Sequence, residues 1–114
     1  MTNKVSDMKM EIRAQLRGGS GEAKLLHLFG AEQMSGMAKM CAKVTLDPGC
    51  SIGEHSHDED GELYIIISGK GMVNDNGTPR EVVAGDVVWT ANCEYHSIIN
   101  HGTEPLEMYA IVIQ

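Results

Sequence analysis

The sequence predicts an all-β domain, an antiparallel sandwich or small barrel, on three observations. From about residue 24 the apolar residues recur with period two, the signature of half-buried strands. These runs are short and return at intervals of roughly 8 to 12 residues, set apart by Gly, Pro, Asn and Asp clusters. Asn76-Gly77 lies between two of them, and Asn-Gly favours a two-residue hairpin because both central residues of a type I′ turn need positive φ.

Taken in chain order, residues 1–21 mix charge with a few apolar positions and end in Gly18, Gly19, Ser20 and Gly21. They read as a flexible N-terminal segment, with residues 22–114 as the domain proper. Met8, Ile12 and Leu16 recur at i, i+4 and i+8, which predicts a short helix there. His27 sits in the apolar run Leu25, Leu26, Leu28, Phe29 and reads as a strand residue. Met40, Ala42, Val44 and Leu46 alternate with Cys41, Lys43 and Thr45, a clear strand. Further strands are expected near Glu62 to Ser68, Gly71 to Asn74, Arg80 to Val83, Asp86 to Thr90, His96 to Asn100 and Leu106 to Ile113. The chain has neither an internal repeat nor a low-complexity tract.

With 114 residues the chain suits one domain. Lys plus Arg number 9 against 16 Asp plus Glu, a formal charge of −7, which disfavours nucleic-acid and anionic-membrane surfaces. Apolar residues at 42% and charged residues at 22% are ordinary for a folded globular protein, and no apolar run approaches a membrane span. Cys41, Cys50 and Cys93 include no CxxC pair, so neither a disulfide scaffold nor a cysteine zinc cage is expected. The opening MTNKVSDMKMEIRAQLR has no apolar core of a secretory signal, and a cytoplasmic location is the expectation. Eight methionines beside a single Phe and a single Trp suggest a core filled by flexible side chains.

His55 and His57 are spaced i, i+2, so on a strand both imidazoles point to one face, as a shared metal ion requires. The same pair on an edge strand is also compatible with two solvated residues. Glu62 follows across Asp58, Glu59, Asp60 and Gly61, a polar loop long enough to bring a third ligand in from the neighbouring strand. That strand reads Glu62, Tyr64, Ile66 on one side and Leu63, Ile65, Ile67 on the other, so an inward Glu62 has Tyr64 beside it. His96 opens a later run and offers a fourth ligand from across a barrel. Three imidazoles and one carboxylate suit Mn, Fe, Co, Ni, Cu or Zn, and a six-coordinate ion would keep two positions open for water or substrate. Asp58-Glu59-Asp60 reads as a solvated acidic loop or as a rim that disfavours anions, and His101 as an exposed loop residue. Cys50 and Cys93 read as buried free thiols, and Met34, Met37 and Met40 as lining or packing residues.

At these residues the chain resembles a known family. Gly49, His55, His57, Glu62 and Gly69 match all five fixed positions of the first cupin motif. Gly85, His96 and Asn100 match the second motif, with Ala91 and Cys93 where the family usually has proline and glycine. The resemblance spans about residues 24 to 113 and implies a small antiparallel cupin fold, the jelly-roll or double-stranded β-helix barrel. It also implies a metal held by His55, His57, Glu62 and His96, with Gly49, Gly69 and Gly85 as turn residues. The stretches RGGSG, DPGCSIGEHSH, SGKGMVNDNG, AGDV and EYHSIIN are similar to small single-domain cupins labelled oxalate-decarboxylase-like, among which Mn is the favoured ion. Oxalate decarboxylases usually carry an arginine three residues before the first ligand histidine, and that position here is Ile52. Of the three arginines, Arg80 follows the hairpin turn, Arg13 and Arg17 lie in the N-terminal stretch, and a reach of Arg17 into the site is not the expectation.

The functional expectation is a metal-dependent enzyme acting on a small carboxylate or other oxygen-rich molecule: a decarboxylating lyase, a dioxygenase or an isomerase. Tyr64, and behind it Tyr109, are the candidate acid/base residues. The alternatives are a non-catalytic ligand-binding module and a structural cupin whose ion only stabilises the barrel. The expected partners are a small molecule and a second copy of the chain, paired through strands such as Leu106 to Ile113.

Overall fold

The computed structural model describes residues 1–114. Ten strands run in chain order: β1 (Lys9–Ala14), β2 (Glu22–Phe29), β3 (Ala38–Leu46), β4 (Ser51–Ser56), β5 (Gly61–Ser68), β6 (Lys70–Asp75), β7 (Thr78–Val83), β8 (Val87–Thr90), β9 (Tyr95–Ile99) and β10 (Leu106–Ile113). They form a six-stranded sheet, ordered β1-β2-β3-β10-β5-β8, and a four-stranded sheet, ordered β4-β9-β6-β7. Every neighbouring pair is antiparallel. The alternation read from the sequence is the alternation of burial: on β10, Leu106, Met108, Ala110 and Val112 face the other sheet while Glu107, Tyr109 and Ile111 face outward. Asn76 and Gly77, with φ of 49° and 96°, close the β6–β7 hairpin beside the pair Asp75 and Thr78.

The core between the sheets is built from branched aliphatic side chains, among them Leu46, Ile66, Ile98 and Leu106, with Tyr64 as its largest member. Burial of each aliphatic side chain stabilises the fold by about 1.5–3 kcal/mol. The methionines behave otherwise than expected. Met108 is the one fully buried methionine; Met37 is 77% exposed and Met10 54%. The reason is parity, since most of the others sit on outward positions or in turns.

The N-terminal segment also departs from expectation. Residues 9–14, expected to be helical, form β1 and pair with β2 over six registered positions, from Lys9 opposite His27 to Ala14 opposite Glu22. A helix of two or three turns is marginal alone in water, whereas the free edge of β2 offers a ready row of backbone partners. Ile12 therefore points to solvent rather than joining Met8 and Leu16 on one apolar face. Leu16, in a 3₁₀ turn at Leu16–Gly18, packs against the core.

Asn100 ties the two motifs together. It is fully buried; its amide donates to the carbonyls of Leu46 and Glu104, each at 2.8 Å, and its Oδ1 accepts the Gly102 N–H at 2.9 Å. Removing that side chain strands three backbone groups, each costly when buried without a partner. Urea unfolding of Asn100→Ala should show a loss of about 2–4 kcal/mol. A loss under about 1 kcal/mol would mean that the surrounding backbone finds other partners.

Candidate metal centre

His55, His57, Glu62 and His96 come from three neighbouring pieces of the fold. Strict alternation would place Ile52 and His55 on opposite faces of β4. Both face inward, because the β4–β9 register slips between them: Ile52 lies opposite Ile98 and His55 opposite His96. His57 follows the end of β4 and is clasped by two backbone bonds, its N–H donating to Glu94 O at 3.0 Å and its carbonyl accepting the Cys93 N–H at 2.9 Å. Glu62 and Tyr64 share one face of β5, as their alternation predicts, and that face is the inner one; His96 points inward from β9. Asn92 and Cys93, in the turn before His96, adopt φ of 58° and 66°. The left-handed turn is kept although Cys93 stands at the usual glycine position.

The four side chains converge on one point, with all ligating atoms within 4.8 Å of one another. Glu62 Oε1 lies 3.4 Å from His55 Nε2, 3.1 Å from His57 Nε2 and 2.9 Å from His96 Nε2. The outward nitrogens decide what these inner atoms are. His55 Nδ1 faces the Gly53 carbonyl at 2.8 Å and His57 Nδ1 faces Asp60 Oδ1 at 2.7 Å. Both partners are acceptors only, so each Nδ1 carries the proton and donates, leaving an Nε2 lone pair turned inward. His96 Nδ1 lies 2.8 Å from Thr90 Oγ1, a hydroxyl that orients the ring and serves either tautomer, as donor or as acceptor. His55 Nε2 and His96 Nε2 stand 3.0 Å apart. Three inward Nε2 atoms and a carboxylate oxygen aimed at one point, each ring steered from behind, fit a divalent cation.

Electrostatics sharpen this. Burial raises the Glu62 carboxyl, but hydrogen bonding to His55, His57 and His96 outweighs it and holds Glu62 well below the usual carboxylate range. His57 is raised above the ordinary imidazole value of 6.5 by Glu62, against burial and with help from Asp60. His96 is lowered, chiefly by burial, and stays neutral. Tyr64 stacks on the His96 ring, centroids 4.7 Å apart and planes 9° apart. Burial, then the charge of Glu62, raises its hydroxyl well above 10, so Tyr64 is a proton donor rather than a base at neutral pH.

The cluster lies in a cavity of about 290 Å³ that opens between β1, the Leu16–Gly18 turn and β3. Arg13, Arg17 and Lys39 line it, as do Tyr64 and Met40. Arg17 thus reaches the cavity, against expectation, because the chain before β2 folds back over β4. Asp60 is no freely solvated acid: it accepts from His57 and pairs with Lys39 Nζ at 3.0 Å, and its pKa falls below the ordinary value despite burial. Tyr109 stands on the outer face of β10 and takes no part. Cys93 is exposed rather than the buried thiol expected, since its turn holds it at the surface, and Cys50 is half-buried and packs against the core. His27 is a β2 residue bonded to Glu11 at 2.9 Å, and His101 is exposed. Asp60, three residues after His57, carried a local signal as an orienting partner; Thr90 carried none, because only the sheet brings it to His96.

In metal-free protein, NMR titration should find His57 protonating above pH 6.5 and His96 below it. A raised folded pKa means that the His57 proton stabilises the metal-free fold fully below about pH 6.5 and that this stability fades as pH rises through the folded value. Asp60→Asn should lower the His57 midpoint, and an unchanged midpoint would break the assigned Nδ1–H to Asp60 bond.

The cupin domain family model matches residues 42–112. An oxalate-binding protein of Thermotoga maritima is 39% identical over 113 residues, covering 99% of this chain and 93% of the relative. The crystal structure of a predicted oxalate decarboxylase from Thermotoga maritima superposes with a TM-score of 0.93 at 39% identity, covering 99% of this chain and 98% of that one. A sugar phosphate isomerase from Silicibacter pomeroyi, at 18% identity and a TM-score of 0.78 over 100% of this chain and 76% of its own, shares the fold. The two motifs, the paired antiparallel sheets and the matched family model lead to one conclusion: this chain belongs to the cupin family.

Proposed function

We propose that the chain is a metal-dependent cupin that takes a small carboxylate, with oxalate as the probe of choice, and that it acts on it as a lyase. The observation that carries this reading is the convergence of three inward Nε2 atoms and Glu62 Oε1 at the floor of a small cavity lined by Arg13, Arg17 and Lys39. His55, His57, Glu62 and His96 hold the ion, and Mn is the ion favoured by the resemblance to oxalate-decarboxylase-like cupins. When bound, the ion supplies open positions for ligand oxygens and Lewis-acid stabilisation of their charge. Gly53 and Asp60 hold His55 and His57 in the ligating tautomer, and Thr90 orients the His96 ring. Tyr64 presents a protonated hydroxyl beside Glu62, able to donate to a ligand oxygen or to a carbon left electron-rich by loss of CO2. A cavity of about 290 Å³ lies at the small end of ligand pockets and has room for a compact small molecule.

A second reading, a binding module without turnover, rests on the scarcity of proton-transfer groups: Asp60 is committed to His57 and Lys39, which leaves Tyr64 alone. The oxalate-binding relative agrees with it. Carbon-13 oxalate separates the two readings, since turnover yields formate and CO2 while a binding module returns oxalate unchanged. Tyr64→Phe should then abolish turnover and spare binding.

The outer face of the six-stranded sheet supports a homodimer. Leu26, Leu63, Ile65 and Ile111 are half-buried there, and Trp89 and Tyr109 are 52% and 37% exposed, an apolar surface suited to a second copy. Its three free thiols suit a reducing, cytoplasmic setting. No helix is long and apolar enough to cross a membrane.

Elemental mass spectrometry of protein purified without chelator should find about one divalent ion per chain, lost in His57→Ala and Glu62→Gln. Parent-level metal in both variants would place the ion elsewhere. Sedimentation at micromolar concentration should show a dimer that Tyr109→Glu dissociates; a monomeric parent would sink the pairing.

A further inference from the structure

Arg17 is the cavity's uncommitted cation. Lys39 is paired with Asp60 at 3.0 Å and Arg13 approaches Glu11 at 3.9 Å, whereas Arg17 makes neither a hydrogen bond nor an ion pair through its side chain. It lines the same cavity as His55, His57, Glu62 and Tyr64.

The backbone that presents Arg17 is built to hold it there. The Gln15 N–H donates to Gly21 O at 2.8 Å and closes the segment into a loop. Gln15 and Arg17 both sit in the left-handed region, φ 50° and 56°, a cost that non-glycine residues bear when surrounding contacts enforce it. Those contacts are close: a Cβ on Gly53 would stand 2.1 Å from the Arg17 carbonyl oxygen, and one on Gly19 would stand 2.3 Å from the Ser51 carbonyl oxygen. Ser20 adds bonds to both neighbours, its N–H donating to Ser51 Oγ at 2.8 Å and its hydroxyl to Gly49 O at 2.7 Å. The loop is thus fastened to β4, the strand that carries His55.

Charge counting then says what Arg17 is for. A divalent cation on three neutral imidazoles and one carboxylate keeps one net positive charge, which a monoanion neutralises. A dianion leaves one negative charge over, and the cavity holds one unpaired cation. We propose that Arg17 is the residue that selects a small dicarboxylate over a monocarboxylate, by pairing with ligand oxygens not used at the metal. This rests on the metal-and-carboxylate reading of the cluster. It also supplies from the N-terminal loop a cation that position 52, an isoleucine, does not.

The test is calorimetric titration of Mn-loaded protein with oxalate and with acetate, metal content being checked after each run. The parent should bind oxalate more tightly than acetate. Arg17→Gln should weaken oxalate about tenfold or more while acetate affinity and metal content stay within about twofold. Arg17→Lys should restore part of the loss, because it returns the charge but not the planar fork. Arg13→Gln should cost clearly less, as Arg13 already has Glu11. Oxalate binding unchanged in Arg17→Gln, equal losses in the two arginine variants, or joint loss of oxalate, acetate and metal would each overturn the assignment to Arg17. A parent that takes up Mn but binds neither carboxylate would overturn the proposed function and this inference together.

Discussion

Three hydrogen bonds on the far side of three imidazoles govern this protein. Gly53 and Asp60 accept from Nδ1 of His55 and His57 and Thr90 holds Nδ1 of His96, so all three Nε2 atoms are turned inward, toward the same oxygen of Glu62. Such a cluster is poorly self-satisfied. Burying acceptors against one another is costly unless a proton or a cation joins them, and Glu62 accordingly favours the protonated form of His57. The same preference for positive charge that lifts His57 is what a divalent ion would satisfy more fully, with release of the proton.

The rest of the molecule is arranged to keep those three partners in place. Gly53 belongs to the irregular step of β4 that puts both Ile52 and His55 inside, so the step that aims the ring also supplies its acceptor. Thr90 ends β8 and meets His96 only because the chain reverses through the left-handed pair Asn92 and Cys93. Asp60 is held between His57 and Lys39, which couples the loop before β5 to the start of β3. Stability and site geometry therefore share residues, and a turn such as that at Asn92-Cys93 retains its strain because the site needs its shape.

The N-terminal segment shows why composition alone misjudged one part of the chain. Its glycines read as a flexible linker, yet Gly19 is needed for close approach to β4, the role that Gly53 plays from the other side. A glycine that permits contact and a glycine that permits motion look the same in one dimension. Likewise Met8, Ile12 and Leu16 show helical spacing, but an open edge on β2 captured the segment as a strand. Local pattern and long-range pairing competed there, and pairing won.

By itself the sequence determined the fold class, the shared face of Glu62, Tyr64 and Ile66, the Asn76-Gly77 hairpin, and the identity of the four clustered residues. Alternation and short spacing, properties of neighbours in the chain, carry all of these except His96, which joins the set through the resemblance to the second cupin motif. Only the tertiary structure decided which groups stand behind the imidazoles, that Tyr109 faces outward while Tyr64 stacks on His96, and that Arg13, Arg17 and Lys39 surround the cavity mouth. The groups behind the imidazoles are near neighbours in the chain, aimed by turns and a register slip in β4, whereas Tyr64 meets His96 and the cations meet the cluster across dozens of positions, through a loop folded over β4. A one-residue slip reverses the facing of everything beyond it, and a left-handed turn redirects a whole side chain; neither leaves a periodic trace from which parity could be read.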